Sequence, residues 1–199
     1  LISAFSTYST AIVNIARSSG EGADLTTSSL YTGGLDGSYL SLSQEEFDTL
    51  EALTEMKKVG TINKIIVILN SSATIQLDFL DNDSIDVDSC LWVGNVGKSG
   101  IFAVAKALTG KIVPSGKLSD TYLKNNFSSP AMMQQSYNNY KKFMSAYENA
   151  GSLTDDSQKY YGVYSEGIYV GYRYYETRYT DYVNGVENTG EYNYSQDVA

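Results

Sequence analysis

The sequence predicts an α/β domain, a layered sandwich whose mostly parallel sheet is flanked by helices. Three observations carry that expectation. Short, almost continuously apolar runs recur along the chain, as they do where the faces of a parallel strand are covered. A helix-patterned segment with its own start signal separates the first two runs, and another follows the third.

The first run, Ala11-Ile12-Val13-Asn14-Ile15-Ala16, is β-branched and ends at the turn-forming Ser18-Ser19-Gly20, so it reads as a buried strand entering a loop. Ser43-Gln44-Glu45-Glu46 then forms a capping-box pattern. Phe47, Leu50, Leu53 and Met56 follow at three-residue steps on one helical face. Lys64–Asn70 is the clearest strand, and Ser89–Gly94 is the next. Ser99 is placed to cap a helix through Ile101, Phe102, Val104, Ala105 and Leu108. Gly110 is placed to end it, and Pro114 lies just beyond. In such a sheet, ligands approach the carboxyl ends of the strands, so the loops after residues 16, 70 and 94 are where chemistry is expected.

From about residue 125 the composition turns to Asn, Ser, Gln and Tyr, and 11 of the 18 tyrosines follow residue 159. So aromatic a segment is expected to pack against the sheet or a neighbouring domain, with mobile stretches near 125–160 and after 183. One domain over 1–183, followed by a linker or tail over 184–199, is the organisation expected.

Composition narrows the chemistry. The 199 residues are 42% hydrophobic, enough for one sizeable core. A net charge of −9, from 14 Lys and Arg against 23 Asp and Glu, disfavours nucleic acid and anionic lipid as partners. No apolar run approaches the roughly 20 residues of a membrane span. Leu1–Phe5 lacks the features of a signal peptide. With no histidine, the chain itself cannot build a Ser-His-Asp or Cys-His mechanism, and it lacks the commonest zinc ligand. Cys90, the single cysteine, lies in an apolar run and reads as a buried thiol. Proton transfer is left to carboxylates, tyrosine or lysine.

Arg17-Ser18-Ser19-Gly20-Glu21-Gly22-Ala23-Asp24 follows the first strand and sets a carboxylate between two glycines, a geometry suited to a general acid. Spacing alone equally allows Glu21 and Asp24 to be ordinary loop carboxylates, one of them paired with Arg17. Gly94, Gly97 and Gly100 do not match the G-x-G-x-x-G fingerprint, and tight packing of the turn against the sheet explains them. The acidic cluster Asp78, Asp81, Asp83, Asp86 and Asp88 fails the EF-hand pattern and reads as a solvated loop. No metal or cofactor is expected. The tyrosines of 169–175 could stack on a sugar or bury area at an interdomain contact.

The run at 17–24 resembles the acid/base loop of family 3 glycoside hydrolases. Four further segments fall in that family's order: Tyr39–Ser43, Val67–Ser71, Ala107–Asp120 with its Gly-Lys-Ile-Val-Pro-Ser-Gly-Lys-Leu core, and Glu166–Glu176. The resemblance covers residues 11 to about 180 and implies the family's C-terminal α/β sandwich domain. It implies that Glu21 is the general acid/base, that Ser19 and Asp24 orient it or touch substrate, and that a (β/α)8 barrel of the same parent carries the nucleophilic aspartate. The implied reaction is retaining hydrolysis of β-linked glucosides or related oligosaccharides, with the fragment inactive alone. The family's opening strand and helix have no counterpart before Ala11, so the sheet is expected to lack its first strand or to borrow one. A non-catalytic carbohydrate-binding or scaffold domain is the alternative, as is a β-xylosidase, N-acetylhexosaminidase or phosphorylase variant.

Overall fold

The computed structural model describes residues 7–20, 25, 39–128 and 166–186. The chain divides into two compact units, Leu1–Lys124 and Asn125–Val198.

The first unit holds three strands, β1 (Thr10–Ala16), β2 (Lys64–Asn70) and β3 (Ser89–Trp92), in the spatial order β1-β2-β3. Both pairings are parallel, with Ile15 opposite Leu69 and Val67 opposite Cys90. Helix α1 (Gln44–Lys58) connects β1 to β2, and α2 (Gly97–Leu108) follows β3. The α/β architecture with a parallel sheet is therefore present, and β1 forms one edge among the described strands.

Period-two alternation puts residues facing each other across a parallel ladder on the same side of the sheet. Ala11, Val13 and Ile15 of β1 share one side with Ile65, Val67 and Leu69 of β2. That side meets Leu50 and Leu53 of α1, with Ile75, Phe79 and Ile85 from the β2–β3 connection, in a single core cluster. The other side is less covered. Ile12 is 52% exposed, whereas Ile68 on the central strand is buried. The expectation of a buried first strand thus holds for one face of β1 only, since an edge strand has a neighbour on one flank.

Helix α1 begins as its sequence requires. Ser43 Oγ accepts from Glu46 N–H, and Glu46 Oε2 accepts from Ser43 N–H, closing the capping box. Glu45 and Glu46 lie at its positive end and Lys57 and Lys58 at its negative end, complementing the helix dipole. It stops at Gly60, whose φ of 75° lets Thr61 N–H reach back to Met56 O while Gly60 N–H bonds Lys57 O. This is a Schellman motif. The same pair of bonds ends α2 at Gly110, from Lys111 N–H to Lys106 O and from Gly110 N–H to Ala107 O.

The start of α2 differs from expectation. Its N-cap is Val96, without a side-chain capping bond, and Ser99 lies inside the first turn. Gly100 N–H already bonds Val96 O, so the chain coils before Ser99 is reached. Of its apolar positions Val104 is buried, while Ile101 and Phe102 face solvent.

The acidic segment between β2 and β3 is more than a solvated loop. Asp86 and Asp88 both pair with Lys57 at 2.9 Å, and Asp81 pairs with Lys124. Asp88 Oδ2 also accepts from Ile65 N–H at 2.8 Å, fixing the entry of β2. Lys57 and the Ile65 amide together hold the Asp88 carboxyl below its usual range.

In the second unit, α3 (Tyr172–Val183) ends at Gly185 in a third Schellman motif, with Val186 N–H on Asp181 O. Tyr175 is its buried anchor. It packs edge-on against Tyr174 and shares a 2.8 Å hydrogen bond with Ser128 Oγ.

Candidate functional site

Parallel pairing brings the carboxyl ends of all three strands to one edge, and the loops leaving them touch. Ser19 Oγ, after β1, lies 2.8 Å from Ser72 Oγ, after β2. Ser71 O accepts from Trp92 Nε1 at 2.9 Å, which joins the end of β3 to the same edge. Ser71 is buried, and its Oγ donates to Ala73 O and accepts from Ala73 N–H, holding the β2 exit in a tight turn. Gly94 follows with φ of 56°, and a Cβ there would stand 3.0 Å from Trp92 Cζ2. Close packing of the glycine turn against the sheet is therefore found at Gly94. Gly97 is needed instead for its φ of 60°, with open space around it.

Of the residues singled out in the sequence, Ser19 stands at this edge with an exposed hydroxyl bond. Glu21 and Asp24 lie outside the described residues. The stems of their loop are described, and they are bound tightly. Arg17, 5% exposed, donates from Nε to Tyr39 O, from Nη1 to Ala16 O and Glu46 Oε1, and from Nη2 to Ser41 O and Glu46 Oε2. All five guanidinium donors are used, two of them in a bidentate carboxylate pair. Tyr39 OH adds a bond to Ser18 O at 3.0 Å, and its ring lies 5.9 Å from the Arg17 guanidinium carbon.

Arg17 pairs with Glu46, 29 residues away; Glu21 and Asp24, the partners the sequence offered, lie outside the described residues. The signal available was Glu46 itself. A residue already assigned to a capping box has a fixed carboxylate, and its second oxygen face is free to meet a cation close to the helix N-terminus.

The other candidate groups are set by burial. Cys90 packs against the core, and desolvation pushes its thiol up to about 11, which leaves it protonated and poorly nucleophilic at neutral pH. Tyr122 is pushed up to about 12, first by burial and then by Asp120 and Cys90. Neither is suited to proton transfer near pH 7. Among the described residues no cluster of His, Cys, Asp or Glu is arranged to hold a metal ion, and no helix is long and apolar enough to cross a membrane.

Residues 2–172 match the family model for the glycosyl hydrolase family 3 C-terminal domain. Beta-glucosidase A of Butyrivibrio fibrisolvens is 30% identical over 182 residues, covering 84% of this chain and 19% of that protein. A beta-glucosidase of Ruminococcus albus is 28% identical over 169 residues, covering 84% and 14%. Thermostable beta-glucosidase B of Acetivibrio thermocellus is 28% identical over 145 residues, covering 73% and 15%. The chain therefore spans less than a fifth of the length of each of these relatives.

Proposed function

The chain belongs to the glycosyl hydrolase family 3 C-terminal domains, and from that premise we propose that it donates the general acid/base carboxylate, Glu21, to a retaining β-glycosidase active site shared with another domain of a longer parent. The observation that carries this reading is the origin of the Glu21 loop. Its near stem leaves the carboxyl end of β1 beside the exits of β2 and β3, through the Ser19–Ser72 and Ser71–Trp92 bonds. That edge is where open parallel sheets present their ligand-binding loops.

A retaining glycosidase requires two carboxyl groups about 5 to 5.5 Å apart, one ionised to attack the anomeric carbon and one protonated to assist departure of the leaving group. Glu21 takes the second role. It protonates the glycosidic oxygen, then as a carboxylate removes a proton from the water that hydrolyses the glycosyl-enzyme. The nucleophilic aspartate comes from a (β/α)8 barrel of the parent, so this chain alone is not expected to turn over substrate. Burial against that partner would raise the pKa of Glu21. Ser19 and Asp24 are the residues beside it that orient the carboxyl or meet the sugar. The names of the relatives support β-glucosides as the substrate class.

The test is Glu21→Ala in the parent, assayed on an aryl β-glucoside with a good leaving group, with and without azide. A sharp loss restored by azide, with a β-glycosyl azide as product, is expected. Unchanged turnover would move the acid elsewhere and leave this domain as a scaffold or carbohydrate-binding module.

A further inference from the structure

We infer that the part-buried Arg17–Glu46 pair is a positioning device for the Glu21 loop, pinning both of its stems to the sheet and to the N-terminus of α1. The inference rests on the reading of Glu21 as acid/base and goes beyond it by assigning what holds that loop.

The geometry divides into three parts. On the outgoing side, the guanidinium binds the carbonyl of its own predecessor, Ala16, at the last residue of β1. On the returning side, it binds the carbonyls of Tyr39 and Ser41 at 2.7 and 2.6 Å. Its remaining two donors grip Glu46 at 2.8 and 2.6 Å. The same Glu46 carboxylate accepts from Ser43 N–H, two residues beyond Ser41. Tyr39 OH, bonded to Ser18 O and 3.1 Å from Ser18 Oγ, joins the stems a second time. The chain beyond Ser18 and the chain before Tyr39 therefore meet at one small, part-buried polar knot.

The knot is more elaborate than the fold requires. Joining β1 to α1 needs a chain path, and an ion pair whose arginine is buried and whose glutamate is partly exposed is weak grounds for stability, because desolvation of the guanidinium offsets much of the attraction. What such a pair supplies is directionality. A planar fork on a carboxylate fixes orientation as well as distance, which a lysine ammonium cannot reproduce. A catalytic carboxyl on a loop gains most from a stem that cannot tilt, because displacement of about 1 Å can cost about 100-fold in rate. Arg17 and Glu46 are accordingly positioning residues, acting through the stems and not by touching substrate.

The experiment compares Arg17→Lys, Glu46→Gln and Glu21→Ala with wild type in the full-length parent. Two substrates are used: phenyl β-glucoside, whose poor leaving group needs protonation, and 2,4-dinitrophenyl β-glucoside, whose departure does not. Arg17→Lys and Glu46→Gln are each expected to lower kcat/KM, which reports formation of the glycosyl-enzyme, about 10- to 100-fold more on the phenyl than on the dinitrophenyl substrate, whereas kcat on the dinitrophenyl substrate falls through the water-activating step. In the same proteins, chymotrypsin cleavage between residues 19 and 38, located by mass and measured well below the unfolding temperature, should speed up. Equal loss of kcat/KM on both substrates, with cleavage unchanged, would make the pair purely structural and overturn the inference. Glu46→Gln keeps the shape and an accepting oxygen, so it remains informative if Arg17→Lys does not fold. The Glu21 reading fails separately: Glu21→Ala would then show no leaving-group selectivity. In that event the cleavage rates still decide whether the pair holds the loop.

Discussion

Thr54 provides the sharpest test of how α1 is tied to the sheet. Its side chain is fully buried, and Oγ1 donates to Leu50 O at 2.9 Å while accepting from Asp86 N–H at 3.0 Å. That second bond fastens the segment leading into β3 against the helix. Thr54→Val preserves volume and removes the hydroxyl, leaving the Asp86 amide without its acceptor. A buried group orphaned in this way costs about 1 to 3 kcal/mol. Asp86 itself is exposed, so water takes over part of the bond and the lower half of that range is expected. A loss of about 1 to 2 kcal/mol lowers Tm by about 2 to 8 °C at this chain length. Thr54→Ser keeps the hydroxyl and deletes one methyl, worth about 1 kcal/mol. Stability is read by denaturant titration of Trp92 fluorescence, the sole tryptophan and a reporter of the first unit. Hydrogen exchange at the Asp86 amide separates the causes. Exchange should accelerate locally in Thr54→Val and remain slow in Thr54→Ser. A Thr54→Val protein as stable as wild type, with Asp86 still protected, would refute the assignment.

Three further outcomes follow from the same geometry. Because the Asp88 carboxyl is held below its usual range by Lys57 and the Ile65 amide, the unfolded chain takes up its proton first as pH falls. The stabilisation is complete above the unfolded value of about 3.9 and disappears as pH drops through the folded one, so Asp88→Ala should flatten the acid limb of a stability–pH curve. At the alkaline end the sign reverses: Cys90 and Tyr122 keep their protons to about 11 and about 12, while the unfolded chain releases them nearer 9.0 and 10.0. Stability should therefore decline as pH rises above about 9, and Cys90→Ala or Tyr122→Phe should each make the decline shallower in urea titrations. Gly110→Ala meets open space at φ of 69° and should cost only its backbone strain, about 1 kcal/mol. Gly94→Ala carries the same strain plus contact with the Trp92 ring, so it should cost more and shift the fluorescence maximum, whereas Gly110→Ala should not.

The elements were legible where one short stretch of chain carries the whole signal. The capping box at Ser43–Glu46, the apolar strand at 64–70 and the stop at Gly110 depend on neighbours within a few residues, and each is present. Legibility declined where a contact is assembled by folding. Arg17 meets Glu46 only because parallel pairing returns the chain past the end of β1, and no local spacing points to a partner 29 residues away. Ile12 looks as buried as Ile15 in the sequence, but period two and an edge position give them opposite fates. Helix α2 starts before Ser99 because a serine that can cap is a weaker signal than the backbone turn already made from Val96 to Gly100. Helix α3 lies in a tyrosine-rich segment whose aromatic composition obscures its one local signal, the helix-ending Asn184-Gly185. For the candidate site, the sequence picked out the edge that parallel pairing assembles and the serine that stands there, but not the polar knot beneath it.

That knot has a consequence for how such a domain can diversify. With the span from Ser18 to Tyr39 closed at its base by Arg17, the rest of the sheet is insulated from whatever occupies the interval. Closing a flexible loop costs only about 0.6 kcal/mol more for each doubling of its length. The interval can therefore be lengthened, shortened or rewritten while β1 and α1 keep their registration, without a matching search for compensating changes in the core.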